Sequence, residues 1–399
     1  HDIACDLTPG IIHADHRKRY LKHSQDYVEK LQNDYGFEDI RYLEQGEIRQ
    51  LVGSDSYYGG MLDTRAAHIH PLNFALGLAD AAHKAGAIIY QESPVLSYSG
   101  GADVTVKLAN GTIKAKQLLL ACNGYLDTLN RQVAARVMPI NNYIIATEPL
   151  SEQLASELLR DSHAVADSRF VVNYFRLSAD RRMLFGGGEN YSFKFPSDIK
   201  SFVRKHMLEI YPQLKDSRID YGWGGTLSIT VSRMPYFAKL EENVVSASGY
   251  SGHGVAMATF AGKTMADRVD GKLARFDTMA DLKTYPFPGG AALRWPLLAP
   301  WFWLLACSTG WRSWTAKSAS PDQTICKHLP PFGRLGFSNC FHLVVVSKRL
   351  FGWEHSGRRI GGVRLFRART QDQPDGNRHD HGCPDADVEI RREAQTNGL

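Results

Sequence analysis

Residues Val244-Val245-Ser246-Ala247-Ser248-Gly249-Tyr250-Ser251-Gly252-His253-Gly254-Val255 decide the fold of this chain. A buried-looking apolar run passes into a glycine-rich turn, and the stretch that follows, through Asp267, reads as a helix. Strand, glycine turn and helix form the unit in which backbone N–H groups at a helix N-terminus meet a polar ligand. The glycines let the chain turn sharply and let a flat ligand approach the backbone, while the helix dipole contributes about 0.3–1 kcal/mol toward negative charge at an exposed end. The order Gly249-x-x-Gly252-x-Gly254 is not the G-x-G-x-x-G pattern, so the turn alone leaves a plain tight turn open as an alternative.

Upstream, Pro71–Ala85 carries proline in its first turn, apolar Leu72, Ala75, Leu76, Ala79 and Ala82 on one face, and Gly86 at its end, which predicts a helix. A short strand is expected at Ala87–Tyr90. Two alternating runs, Val104–Leu108 and Thr112–Lys116, are joined through Asn110-Gly111, a strong hairpin signal. The continuous apolar run Gln117–Ala121 then ends at Cys122-Asn123-Gly124, as a buried parallel strand with its loop at the carboxyl end would. Together these predict part of a Rossmann-like, dinucleotide-binding α/β unit. Residues 136–236 differ in character: longer strands are expected at Val137–Thr147, Phe170–Leu177, Arg182–Gly187 and Ile219–Ile229, with a helix across Ile199–Ile210, so this block predicts an α+β, mostly antiparallel-sheet domain. Near the start, Ala4–Ala14 reads as extended, and Arg17–Asn33 and Glu44–Val52 as helices.

With 399 residues, 43 % hydrophobic and 22 % charged, the chain is globular in composition, which excludes a disordered, collagen-like or many-helix membrane protein. The net charge of +5 sits in the tail: residues 310–399 hold 14 Lys/Arg against 9 Asp/Glu, and the rest is neutral. No basic stripe with interleaved aromatics supports nucleic-acid binding. Cys5 and Cys122 are the only cysteines before Cys307, so no disulfide framework is expected and a reducing, cytoplasmic compartment is. The apolar run Trp295–Cys307 is too short for a transmembrane span of about 20 residues.

Several spaced motifs, taken in order, carry a resemblance. Gly60-Met61-Leu62-Asp63, His68-Ile69-His70-Pro71-Leu72, Ala85-Gly86-Ala87-Ile88-Ile89 with Val95, and Leu119–Tyr125 come first. Met138-Pro139-Ile140, Ala146–Leu150, Asp180–Gly187, Trp223-Gly224-Gly225 and Gly249–Val255 continue the series. The chain, over about residues 1–300, resembles FAD-dependent oxidoreductases of the D-amino acid oxidase superfamily. The resemblance implies a flavoenzyme that takes a hydride from the carbon bearing an amine, giving an imine that water hydrolyses, and passes the electrons to oxygen or another acceptor. It divides the chain into 1–59, the start of the substrate domain with helices; 60–135, part of the FAD-binding domain; 136–236, the substrate domain; 237–275, the return of the FAD-binding domain; 276–309, an apolar segment; and 310–399, an irregular tail.

By the same resemblance Val95 holds the adenine end through its backbone, Asn123 and Gly124 border the cofactor, and Gly249, Tyr250, Ser251, Gly252, His253, Gly254 and Val255 wrap the flavin ring. His253 is the candidate catalytic residue, because an imidazole titrates near neutral pH and can stabilise reduced flavin or tune amine protonation. His68 and His70, flanking a helix start, read as capping or packing residues. Tyr174 and Arg176 are candidates to line the substrate pocket, with an ordinary half-buried sheet role as the alternative, and Arg233 is the candidate contact for a glutamyl carboxylate of the substrate, with a surface salt bridge as the alternative. Where simple amino-acid oxidases place an arginine for the substrate carboxylate, this chain has Leu227. That favours an amine whose charged end lies elsewhere, gamma-glutamylputrescine or a related amine; a sarcosine-type N-methyl amino acid oxidase is the alternative. Relatives with covalent flavin attach it to a cysteine near the Gly249–Val255 motif, and no cysteine lies between Cys122 and Cys307, so the resemblance implies non-covalent FAD.

No G-x-G-x-x-G loop precedes the first motif, and Gly186-Gly187-Gly188 has no helix after it. The expectation is that the chain as given binds FAD weakly or not at all unless a second chain supplies that half-site, or is a non-catalytic remnant. In the tail, Cys326-x-His328 and Cys340-x-His342 lack the spacing of a structural zinc site, so no metal is expected, and Phe341–Val346 is its one strand-like run.

Overall fold

The computed structural model describes residues 1–190 and 195–294; the apolar segment from Trp295, the tail and its Cys/His pairs lie outside the described residues. Along the chain come β1 (Thr8–Asp15), α1 (Leu21–Tyr35), β2 (Ile40–Leu43), α2 (Gln45–Val52), β3 (Gly59–His68), α3 (Pro71–Lys84), β4 (Val95–Ser99), β5 (Val104–Leu108), β6 (Gly111–Ala115), β7 (Leu118–Leu120) and α4 (Arg131–Ala134). There follow β8 (Met138–Thr147), α5 (Glu152–Leu158), β9 (Ala164–Asp167), β10 (Tyr174–Leu177), β11 (Met183–Asn190), α6 (Ile199–Ile210), β12 (Ile219–Ile229), β13 (Tyr236–Glu241), β14 (Val244–Ser248), α7 (Gly254–Val269), α8 (Ala274–Ala280) and α9 (Gly290–Leu293).

Eight strands form the large sheet in the order β12-β8-β11-β10-β9-β1-β3-β2, antiparallel throughout except for the parallel pair β1 and β9. Because β3 (59–68) pairs with β1 and β2, it belongs to this sheet. One face is covered by α2, α5 and α6, which bury Tyr143, Phe175, Phe185, Ile12, Leu43 and Ile48 in one cluster. The local reasons are visible in α6. Asp198 caps it by accepting from Ser201 N at 3.0 Å, and Val203, Met207 and Ile210, spaced four and three apart, are its buried stripe. Tyr211, fully buried, donates its hydroxyl to Val52 O at 2.7 Å, tying the end of α6 to the end of α2.

Two polar groups are built into the edge of this core. The buried Asp167 pairs with Arg169 and accepts from Asn173 N at 3.0 Å. Burial raises its carboxyl above the ordinary value. Nearby, His16 Nδ1 lies 2.8 Å from Ser168 Oγ; burial, then the charges of Arg169, Arg17 and Arg19, push the imidazole down to about 3.

The flavin-side unit expected from the sequence consists of two three-stranded sheets, β13-β14-β7 and β4-β5-β6, with α7 against β14. The hairpin β5–β6 forms as predicted, with the pairing Leu108↔Gly111 leaving Ala109-Asn110 as its turn. Helix α3 forms where expected, with His70 Nδ1 accepting from Asn73 N at 3.2 Å and Pro71 in the first turn, yet it buries no residue. Two expectations fail beside it. Ala87–Tyr90 is not a strand but exposed irregular chain, with Ile88 68 % exposed. Of β7 only Leu120 is buried, while Leu119 is 38 % exposed. The physical reason is shared: a strand is stabilised by ladder partners, and among the described residues none lies on the outer edge of β7 or beside 87–90.

Candidate functional site

Strands β7 and β14 run parallel in the register Leu118↔Val244 to Leu120↔Ser246, so their carboxyl ends deliver Asn123-Gly124 and Gly249–Val255 to one rim. Open α/β sheets bind their ligands at such carboxyl-end crevices. The last residues of β12, from the large sheet, cross the same rim. The Ser228 hydroxyl donates to Asn123 Oδ1 at 2.5 Å and accepts from Gly249 N at 3.0 Å, and the same Gly249 N–H also reaches Asn123 Oδ1 at 3.1 Å. Ser251 N donates to Ser228 O at 3.0 Å, Thr230 N donates to Ser251 Oγ at 3.3 Å, and Tyr125 OH accepts from Thr226 N at 2.7 Å.

These bonds hold backbone that would not stay so by itself. Asn123 (φ 45°), Gly249 (φ 74°), Ser251 (φ 50°) and Gly252 (φ 99°) all occupy the left-handed region. For Ser251 this costs about 1–2 kcal/mol, offset by its three hydrogen bonds. Glycine at 124 is required for packing: a Cβ there would stand 2.6 Å from Thr226 O.

The turn opens into α7, sixteen residues long with no acidic side chain in its first turn. His253 is its N-cap by position, yet its ring makes no cap hydrogen bond. The first-turn amides of such a helix have no intrahelical acceptor and carry partial positive charge. Gly252, His253, Gly254 and Val255 are half-buried at this end. Tyr250 points the other way: it is buried, and its hydroxyl donates to Ala247 O at 3.1 Å, inside the cluster with Phe237 and Phe276. Burial holds its phenol well above the ordinary range. Val95 opens β4 and packs on the cluster of Leu120 and Val244, the core under both turns.

Tyr174 and Arg176 lie on β10, alternating with Phe175 and Leu177 of the buried core, so they occupy the face opposite it. Tyr174 hydrogen-bonds Asn142 Oδ1 and lies flat over Gly186, whose missing Cβ leaves room for the ring. Asn142 pairs with Gly225, three residues before Ser228 on β12, so this face adjoins the rim. Arg176 donates to Ile69 O at 2.9 Å and Leu177 O at 3.0 Å, and burial depresses its pKa. Arg233 sits apart, in the turn between β12 and β13, at φ 63° and with its N–H on Thr230 O. Leu227 packs on the cluster of Met138, Ile140 and Ile229.

Sequence reading passed over Ser228, Thr230, Thr226 and Asn142. A signal was present in the alternation Thr226-Leu227-Ser228-Ile229-Thr230, which puts three hydroxyls on one face of a strand. Ser228 and Thr230 are fully buried there, against the turn.

A family model described as FAD dependent oxidoreductase (DAO) matches residues 1–268. The gamma-glutamylputrescine oxidoreductase of Escherichia coli is 39 % identical over 300 residues, covering 75 % of this chain and 70 % of that protein. A probable oxidoreductase, OrdL, of Rhizobium meliloti is also 39 % identical, over 75 % of this chain and 69 % of its own length. Among solved structures, glycine oxidase from Geobacillus kaustophilus aligns with a TM-score of 0.59 at 18 % identity, covering 68 % of this chain and 73 % of that one. L-proline dehydrogenase from P. horikoshii aligns with a TM-score of 0.58 at 19 % identity, over 67 % and 74 %.

Proposed function

Because the chain belongs to the FAD-dependent oxidoreductase family, we propose that it oxidises the carbon bearing an amine to an imine, with gamma-glutamylputrescine or a related amine as substrate. The observation that carries this reading is the acid-free, uncapped N-terminus of α7, presented by a left-handed turn that is pinned to two other elements. The residues present fit the flavin end of FAD: glycines permit close backbone approach, and amides with partial positive charge suit a ring edge that gains negative charge. When bound, FAD supplies the two-electron acceptor.

Gly249, Ser251, Gly252, Gly254 and Val255 hold the ring from one side in this reading, Asn123 and Gly124 border it, and Val95 meets the adenine end through its backbone. Tyr250 acts from beneath, as packing. The substrate lies against the Tyr174–Asn142 face, with its C–H bond toward the ring. With bound FAD as the two-electron acceptor, that carbon would lose its hydrogen with the bonding pair and the nitrogen a proton, and the imine of a primary amine such as gamma-glutamylputrescine would add water to give an aldehyde and ammonia. His253, the N-cap residue of α7 by position, is the proton-holding group near the reacting nitrogen. Apolar Leu227 favours a substrate without a carboxylate on the reacting carbon, and the name of the Escherichia coli relative, one of two at 39 % identity, agrees with a gamma-glutamyl amine.

Anaerobic mixing of the FAD-loaded protein with gamma-glutamylputrescine, sarcosine and glycine tests this. Bleaching of the visible flavin bands by gamma-glutamylputrescine first is expected; faster bleaching by sarcosine would move the reading to the N-methyl amino acid branch.

One observation favours a second reading, in which the site is completed by a further strand-and-helix segment of a second chain. The outer edge of β7 has no strand partner among the described residues, helix α3 buries no residue, and Leu76, Leu78, Ile88 and Ile89 are exposed. Co-purification with a second chain carrying G-x-G-x-x-G would support it. A cytoplasmic location agrees with the sparse cysteines, Cys5 and Cys122 alone before Cys307, and among the described residues no helix is long and apolar enough to cross a membrane.

A further inference from the structure

We infer that Ser228 is a positioning residue that fixes the distance between the substrate-bearing sheet and the turn proposed to face FAD; the inference rests on the reading of that turn given above. Ser228 belongs to β12, an edge strand of the large sheet, whereas Asn123 and Gly249 follow strands of the small one. Its hydroxyl has one proton and gives it to Asn123 Oδ1, while its lone pair takes the Gly249 N–H. Its carbonyl takes the Ser251 N–H. One fully buried residue thus contacts both rim segments through three hydrogen bonds.

The side chain is not needed to satisfy Gly249, because that N–H also reaches Asn123 Oδ1 at 3.1 Å. Removing the hydroxyl leaves Asn123 and Gly249 bonded to each other and no longer held by a side chain of β12. The two rim segments then shift together against the large sheet, while the small sheet stays intact. Two of the residues concerned, Asn123 and Ser251, are non-glycine residues at positive φ, so relaxation of the turn lowers backbone strain rather than opposing it.

The test compares Ser228→Ala with Ser246→Ala, which removes an equally buried hydroxyl from β14, bonded to Leu120 O at 3.1 Å and away from the turn. Hydrogen exchange without FAD is the first readout. Ser228→Ala is expected to speed exchange of the Gly249 and Ser251 amides about tenfold, as loss of about one buried hydrogen bond does, with Ser246→Ala near the parent there. The second readout is FAD affinity by flavin fluorescence, expected to weaken about tenfold in Ser228→Ala only. Ser228→Thr, which keeps the hydroxyl, is expected to restore slow exchange. Equal exchange at 249 and 251 in the two alanine variants, or fast exchange in Ser228→Thr, overturns the inference. If the parent protein takes up no FAD, the functional reading fails, and the exchange comparison still decides the role of Ser228.

Discussion

The Ser228 hydroxyl stands 2.5 Å from Oδ1 of Asn123, a residue 105 positions earlier in the chain, and the two share the N–H of Gly249. A strand of the large sheet and two loops of the small one therefore meet in a single three-way hydrogen-bonded contact. Asn123 is its centre, since one carbonyl oxygen accepts from both partners.

Asn123→Ala removes that acceptor and places alanine at a φ of 45°. The expected loss of stability is about 2–3 kcal/mol, from one unsatisfied buried donor and the left-handed backbone together. Urea unfolding of the variant reads it. A loss within about 0.5 kcal/mol of zero, the range of an ordinary surface substitution, would mean that the contact does not form.

Arg169→Met leaves Asp167 buried without its cation and costs about 3–5 kcal/mol at neutral pH. Burial already raises this carboxyl above 3.8, and loss of the guanidinium raises it further. The folded variant then binds a proton more readily than the unfolded chain, so its deficit shrinks as pH falls through the carboxylate range. A deficit that grows on acidification contradicts the pairing.

His16 works with the opposite sign. Its folded value of about 3 lies below the ordinary 6.5, so the folded protein binds fewer protons than the unfolded chain between those limits. The stability associated with neutral His16 is fully present above 6.5 and falls as pH drops toward 3. In His16→Gln the difference from the parent is expected to narrow over that window. Parallel stability curves for the two proteins would show that His16 titrates as it does in water.

Arg176 and Arg233 are separable by substrate. Under the proposed function, Arg176, on the Tyr174 face, meets the glutamyl carboxylate, and Arg176→Met raises KM for gamma-glutamylputrescine about tenfold or more while leaving KM for putrescine nearly unchanged. Arg233→Met, in the β12–β13 turn, is the comparison. If it alone raises KM, the carboxylate lies at the turn.

Much of this architecture was legible in residue pattern. Val203, Met207 and Ile210 announced α6, Asn110-Gly111 announced the hairpin, and Gly249–Val255 announced the rim, because each signal is local. The partnership of β3 with β1 was not legible. Strand pairing depends on residues distant in sequence. Ala87–Tyr90 has strand composition but no partner among the described residues, and composition cannot supply one. At the site, glycines and Asn123 stood out by type, whereas Ser228 is an ordinary residue made important by 0 % exposure beside the turn. Its alternation with Thr226 and Thr230 marked a polar face, but only the fold reveals that the face is buried.

Hydrogen exchange of the protein with and without saturating FAD tests the central claim most directly. The account predicts selective slowing at Asn123–Tyr125 and Gly249–Val255, with the amides of α1 and α6 unchanged. Slowing elsewhere with none at these two segments would contradict the placement of the flavin at the carboxyl ends of β7 and β14.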